Sequence, residues 1–162
     1  MKILVYTSFF TFLLSITLHA QTTVILPVQQ DAALGYHDNF NTAGNNYGTA
    51  TQNAGYVLPG SSGGQNVNRA LIQFDLSTIP TSAFVQSASL DLYAHGPAGA
   101  LNGHLGPNNS CLLQRVDLAW GELTTTWNTQ PTATIMNEVT LPASTSATQD
   151  YLNIDVTNLV KD

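Results

Sequence analysis

Two stretches of alternating hydrophobicity dominate the segment RALIQFDLSTIPTSAFVQSASLDLY, which runs from Arg69 to Tyr93 and is interrupted by a loop containing Pro80. A period of two is typical of half-buried antiparallel strands. The alternation assigns to the inner face Ala70, Ile72, Phe74, Leu76, Ala88, Leu90, Leu92 and Ala94. The outer face of the first strand then carries Arg69, Gln73 and Asp75. Such strands need a second layer over their apolar side, so the sequence predicts an all-β, two-sheet antiparallel β-sandwich.

The first twenty residues have the features of a secretory signal. Lys2 supplies a positive charge, residues 3–18 are mainly apolar, and Ala20 places a small residue before the expected cleavage point. A membrane-anchoring helix is the alternative, but hydroxyl residues interrupt this short run and strand-like sequence follows it. We therefore predict a signal peptide over 1–20, a single domain over 21–162, and no membrane insertion after cleavage.

Length, charge and cysteine content exclude several classes of protein. Cleavage leaves 142 of the 162 residues, which suffices for one domain. Loss of Lys2 changes the net charge from −6 to −7, which disfavours nucleic acid and anionic membranes as partners. Cys111 is the only cysteine, so no intramolecular disulfide can form. Its strand context predicts a buried, small hydrophobic residue.

Shorter β-rich runs predict the remaining elements. The predicted strands are Thr22–Val28, Tyr56–Leu58, Cys111–Val116, Glu138–Leu141 and Tyr151–Val156. Asp31 to Gly64 is otherwise rich in Gly, Asn and Ser, which predicts a long loop region. Thr157 is the expected cap of a short final helix.

Several landmarks of the chain resemble those of one family. They are Asn46-Tyr47-Gly48, the strand pair Arg69–Tyr93, the segment WGELTTTWNTQP over Trp120–Pro131, and Asp155-Val156-Thr157. In this order they resemble the DNRLRE, or disaggregatase-related, domain, which is grouped among carbohydrate-binding modules of bacterial and archaeal secreted proteins. The resemblance spans most of the mature chain and implies a non-catalytic sandwich of jelly-roll type.

The family pattern continues past the short helix through an aromatic residue and further strands, whereas this chain stops at Asp162. We therefore expect a domain that lacks its C-terminal strands, or a fragment of a longer secreted protein. Unpaired strand edges and an open core would then make the chain poorly soluble when expressed alone.

The residues offer little support for catalysis. Glycosidases need two converging carboxyl groups, and Glu122 and Glu138 are the only glutamates. Glu122 lies within the tryptophan-rich segment, where we expect it to fix the loop by hydrogen bonding. His95 and His104 flank a Gly/Pro loop, but their spacing fits no metal motif. The sequence thus predicts a protein that is not an enzyme.

Calcium is the more plausible metal ion for this chain to bind. The early loop is rich in oxygen donors of the type that hard cations prefer, namely Asp31, Asp38, Asn39, Asn41, Asn45 and Asn46. Asp31 and Asp38 are the best candidates for a calcium site. The competing interpretation, which we favour, is that Asn and Asp occur here because they stabilise turns.

Sugar binding requires an accessible aromatic face beside polar groups. Tyr36 and Tyr56 lie in or beside the loop-rich region and are the candidate stacking residues. The resemblance places Trp120 and Trp127 in a packed structural signature, so we assign them to the core or to loop anchoring, and Tyr47 to a structural role in its turn.

The chain has few cations with which to bind a polyanion. Some relatives are thought to bind uronic-acid polysaccharides, but Arg69 and Arg115 are the only arginines, and Arg69 belongs to the strand pattern. The negative net charge would repel a polyanion unless calcium bridged the two. We therefore expect a neutral polysaccharide or cell-surface glycan, or no glycan, as partner of a secreted or cell-surface module. The alternatives are a structural spacer of a surface protein and an accessory domain of a polysaccharide-degrading enzyme.

Overall fold

The computed structural model describes residues 21–59, 63–95 and 108–161. Its strands are β1 (Val28–His37), β2 (Tyr56–Pro59), β3 (Gln65–Phe74), β4 (Ser89–Leu92), β5 (Cys111–Val116), β6 (Ala133–Leu141) and β7 (Tyr151–Asp155). Helix α1 (Thr157–Lys161) follows β7, and two 3-10 turns cover Thr42–Gly44 and Trp127–Thr129. Every strand pairing is antiparallel, which confirms the predicted all-β sandwich class.

The strands form three small sheets. Sheet order is β1-β3-β2 in the first, β4-β7 in the second and β5-β6 in the third. β1 and β3 pair along almost their whole length, from Val28 opposite Phe74 to His37 opposite Asn66, with an irregularity between Val28 and Gln30. β3 and β4, the two alternating strands joined by the Pro80 loop, belong to different sheets. The segment that indicated two layers therefore supplies one strand to each of two sheets.

Strand bounds follow pairing rather than local composition. The prediction of a first strand over Thr22–Val28 is wrong, since the first strand begins at Val28 and runs into the predicted loop region. β3 begins four residues before Arg69, and β6 begins at Ala133 rather than Glu138. In each case an antiparallel partner supplies ladder hydrogen bonds to residues of modest strand propensity. The prediction for β5 matches its observed bounds.

The first sheet buries its side chains most completely on one face, and this is the face that the alternating sequence pattern predicted to be exposed to solvent. Ala32 pairs with Leu71, and Leu34 pairs with Arg69, so all four share a face. Ala32, Leu34 and Leu71 are buried there, whereas Ala70 and Leu76 are exposed and the inward prediction for them is wrong. Ile72 and Phe74 are half-buried, as are Leu90 and Leu92. The loop over residues 119–131 causes this inversion, because it packs over the Arg69 face.

Two local predictions are also wrong. Cys111 is exposed rather than buried, although partial desolvation of the sulfur raises the pKa of its thiol. Thr157 is the first residue of α1 and does not cap it; its hydroxyl accepts a 2.9 Å hydrogen bond from the Ala88 backbone N–H. The Asp155 carboxylate instead accepts the Thr157 backbone N–H at 2.9 Å. The first bond ties the helix to Ala88, the residue before β4, and the second holds the helix to the end of β7.

Among the described residues, no helix has the length and apolar character needed to cross a membrane.

Candidate functional site

The segment AWGELTTTWNTQP, residues 119–131, is here called the Trp loop. It docks on the first sheet through Gln30, whose Nε2 donates to the Trp120 carbonyl at 3.2 Å and to Gln73 Oε1 at 2.7 Å. The Glu122 backbone N–H donates back to Gln30 Oε1 at 3.3 Å. The Glu122 carboxylate accepts the Asp31 backbone N–H at 3.5 Å. Glu122 thus lies where it fixes the loop, the role the sequence predicted for it.

The Asn-Tyr-Gly turn holds the Trp loop from the other side. Asn46 Nδ2 donates to the Glu122 carbonyl at 2.8 Å and to the Thr125 carbonyl at 2.7 Å. Its Oδ1 accepts the Gly48 N–H at 3.1 Å, which closes an Asx turn. Gly48 is buried, and a Cβ at this position would collide with the Glu122 carbonyl. The first and third sequence landmarks therefore form one interlocked structural unit.

Threonine hydroxyls rigidify the Trp loop internally. Buried Thr125 accepts the Gly121 N–H through Oγ1 at 3.2 Å. Thr126 and Thr129 form a reciprocal capping box around the second 3-10 turn, with Thr129 Oγ1 accepting the Thr126 N–H at 3.0 Å. Gln130 Nε2 donates to the Trp127 carbonyl at 2.8 Å. This set of bonds accounts for the Thr, Gln and Trp spacing of the segment.

The loop brings Trp127 onto Tyr36 of β1. The two rings are stacked, with centroids 5.4 Å apart and planes inclined by 24°. The guanidinium carbon of Arg69 lies 4.8 Å from the centre of the Trp127 ring, and Arg69 Nη1 donates to Gln130 Oε1 at 2.7 Å. Tyr36 and Trp127 are half-buried, and Arg69 is exposed. We call Tyr36, Arg69, Trp127 and Gln130 the aromatic platform.

Asp38 fixes the polar end of Tyr36. The Tyr36 hydroxyl donates to the Asp38 carboxylate; this hydrogen bond, followed by the carboxylate charge, raises the pKa of Tyr36. The same bond, helped by the Gln65 backbone N–H that donates to Asp38 Oδ2 at 2.7 Å, lowers the pKa of Asp38. A carboxylate therefore stays ionised beside the platform at neutral pH.

The structure separates the residues that the sequence grouped as candidates. Tyr36 pairs with Val67, and Tyr56 pairs with the next residue, Asn68, so the two tyrosines lie on opposite faces of the first sheet. They do not form one stacking surface.

The two calcium candidates are also apart. Asp31 lies within β1, and Asp38 follows its last residue, so a strand separates them by roughly 20 Å. The described ranges contain no group of three or more His, Cys, Asp or Glu side chains arranged to hold a metal. His95 Nε2 lies 2.8 Å from Gln52 Nε2, and His104 lies outside the described residues.

Sequence reasoning missed Arg69, Trp127 and Gln130 as members of the site, since it assigned the first two to the scaffold. The only available signal was the Trp-Asn-Thr-Gln run, which placed a large ring and an amide three residues apart. Their meeting with Tyr36 depends on how the loop docks, which local sequence does not specify.

The antiparallel sheets hold a half-exposed aromatic pair beside guanidinium, amide and carboxylate groups, which together can form a binding surface. The model of carbohydrate-binding module family 96 matches residues 26–162, and the chain belongs to this family. The predicted carbohydrate-binding class is thereby confirmed, while the DNRLRE assignment stays a prediction. Comparisons with curated proteins and with solved structures found no match.

Proposed function

We propose that this chain is the glycan-binding module of a secreted protein and that it holds a neutral polysaccharide or cell-surface glycan on the aromatic platform. The stack of Tyr36 on Trp127 carries the proposal, because it presents aromatic surface that is ordered by packing and still partly open to solvent. The apolar face of a pyranose ring packs on such a surface. The finer assignment to DNRLRE-like domains agrees with this role.

The groups around the rings suit sugar hydroxyls. Arg69 offers N–H donors, Gln130 an amide, and Asp38 a carboxylate acceptor. Each is already held by a neighbouring group, so little side-chain entropy is lost when a ligand binds. The platform therefore combines a stacking surface with preorganised donors and acceptors.

The charge around the platform favours a neutral ligand. Arg69 is the platform's only cation, and the Asp38 carboxylate lies beside the same tyrosine. Arg115 lies 3.9 Å from Asp117, and Lys161 lies over the Phe84 ring. A polyanion would gain one favourable contact and meet a chain whose net charge is −6, or −7 once residues 1–20 with Lys2 are removed.

Tyr36→Ala tests the proposal in affinity gels and by calorimetry, with a panel of cello-, xylo-, manno- and laminari-polysaccharides and a polyuronate as the charged comparison. We expect the variant to bind a retained neutral glycan about tenfold more weakly, which corresponds to about 1.4 kcal/mol. Tyr56→Ala removes the same side chain from the opposite face of the sheet and serves as the matched control.

Equal binding by folded Tyr36→Ala and the unmodified chain would show that the platform does not bind the glycan. A loss seen only in Tyr56→Ala would move the site to the opposite face. Failure of the unmodified chain to bind any polysaccharide in the panel would favour the structural-spacer alternative.

Export is the remaining part of the proposal. The signal-like segment 1–20 supports it, and cleavage after Ala20 would leave Gln21 as the first residue. Mass spectrometry of the mature N-terminus checks this, and an intact Met1 on extracellular protein would contradict it.

A further inference from the structure

We propose that a cleft on the Trp loop, separate from the aromatic platform, binds a second sugar unit of the same neutral glycan. This inference rests on the proposed function and extends it. The cleft has a volume of about 410 Å³, within the range of roughly 300–1,000 Å³ that is usual for small-molecule sites. Its lining residues are Ala119, Trp120, Gly121, Thr124, Thr125 and Thr129. None of them carries a charged side chain that could form an ion pair with a charged sugar.

Trp120 supplies the apolar wall of the cleft. Its backbone is held by Gln30, while its ring is half-buried. Within the described part of the chain, the indole N–H donates to no protein group. A half-buried indole with a free N–H donor suits a pyranose, which has an apolar face and hydroxyls around its rim.

Three threonines supply the polar wall. Thr125 Oγ1 accepts the Gly121 N–H at 3.2 Å, and its own proton has no acceptor among the described residues. Thr124 Oγ1 donates to the Gly121 carbonyl at 3.3 Å and keeps its lone pairs, while Thr129 Oγ1 belongs to the capping box. Since a hydroxyl offers one donor and two acceptor positions, the exposed Thr124 and Thr129 retain capacity for a ligand, whereas Thr125 is buried.

The cleft and the platform flank a single 3-10 turn. Trp127 begins this turn and stacks on Tyr36, whereas Thr129 ends it and lines the cleft. A glycan of several units that covers the turn can therefore contact both sites. Binding should grow stronger with chain length, because the second contact adds to the first without a second loss of translational freedom.

Isothermal titration with two-unit and six-unit cello-, xylo-, manno- and laminari-oligosaccharides tests the proposal. Trp120→Phe keeps an aromatic ring and removes the N–H, and Thr124→Val keeps the shape and removes the hydroxyl. We expect each variant to bind the preferred hexasaccharide roughly tenfold more weakly and to lose most of the gain between two and six units. Thr140→Val, on exposed β6, is the matched control and should bind as the unmodified chain does.

A second readout observes the cleft directly. Trp120 is the only tryptophan left in Trp127→Phe. A saturating hexasaccharide should protect its fluorescence from acrylamide quenching if the cleft is occupied. Unchanged quenching, at a hexasaccharide concentration that titration shows to saturate this variant, would overturn the proposal.

The two proposals fail in different ways. Full hexasaccharide affinity in folded Trp120→Phe and Thr124→Val, with weakened binding in Tyr36→Ala, overturns the cleft and leaves the platform intact. Absence of binding by the unmodified chain to every oligosaccharide and polysaccharide tested overturns both.

Discussion

Gly48 marks the closest approach between the Asn-Tyr-Gly turn and the Trp loop. A side chain there has no space, because its Cβ would collide with the Glu122 carbonyl. The same carbonyl accepts Asn46 Nδ2 at 2.8 Å. One glycine therefore permits the hydrogen bonds through which Asn46 holds the loop that carries both tryptophans.

Gly48→Ala should lower the free energy of unfolding by about 1–3 kcal/mol, since the backbone must shift to accept the methyl group. Chemical denaturation followed by circular dichroism measures this change. Gly44→Ala is the control, because a Cβ at Gly44 meets nothing within 4 Å, and surface changes of this kind usually stay within about 0.5 kcal/mol. Equal stability of the two variants would contradict the assigned role of Gly48.

At the scale of elements, Asp38 joins the end of β1 to the start of β3. Its backbone N–H donates to the Gln65 carbonyl at 3.2 Å, and its carboxylate accepts the Gln65 N–H at 2.7 Å and the Tyr36 hydroxyl. These bonds lower the pKa of Asp38. A carboxyl group with a lowered folded-state pKa contributes stability above its unfolded pKa and loses it as the pH falls through the folded value.

Stability should therefore be level above about pH 5 and decline below the ordinary carboxyl pKa of roughly 4. Hydrogen bonds to Ser77 and Thr157 likewise lower the pKa values of Asp75 and Asp155, so these two add to the acid sensitivity. Asp38→Asn should make the loss of stability at low pH smaller without abolishing it. Tyr36→Phe should have the same effect to a smaller extent. Melting curves between pH 2.5 and pH 7 check this, and identical pH profiles for all three proteins would refute it.

Element positions were predictable where local pattern and pairing agree. β5 is rich in β-forming residues and the second alternating strand has a period of two, and the structure has strands at both places. β1 contains Asp-Ala-Ala-Leu-Gly, whose residues have low strand propensity, so its identity depends on β3 as partner. The buried face of β3 depends in turn on the Trp loop, whose Gln130 is 61 residues from Arg69 in sequence.

The candidate site was only partly predictable for a related reason. Tyr36 could be proposed because it lies beside a loop region rich in Gly, Asn and Ser, and the structure places it in the platform. Tyr56, the other candidate stacking residue, lies on the opposite face of the sheet, because the two tyrosines pair with adjacent residues of β3 and a single step changes the face. Trp127 anchors the loop as expected and also supplies the surface that Tyr36 stacks on.

At the scale of the whole molecule, much apolar surface remains open. Full burial within the described residues is limited to six apolar side chains, while Phe84 and Ile135 are 84% and 78% exposed. Phe84 belongs to an apolar groove of about 490 Å³ between the Pro80 loop and α1. Exposed apolar surface of this kind favours association between molecules.

The chain alone should therefore associate reversibly as its concentration rises. Ile135 is a suitable probe, because it lies on β6, which pairs only with β5 among the described strands and so has an open edge. Ile135→Lys should shift the chain toward monomer in sedimentation velocity and light scattering. Ile25→Lys makes the same change at a residue that is 90% exposed and outside any strand, so it should associate as the unmodified chain does. If the unmodified chain is monomeric at all concentrations and melts sharply, its exposed apolar surface does not drive association.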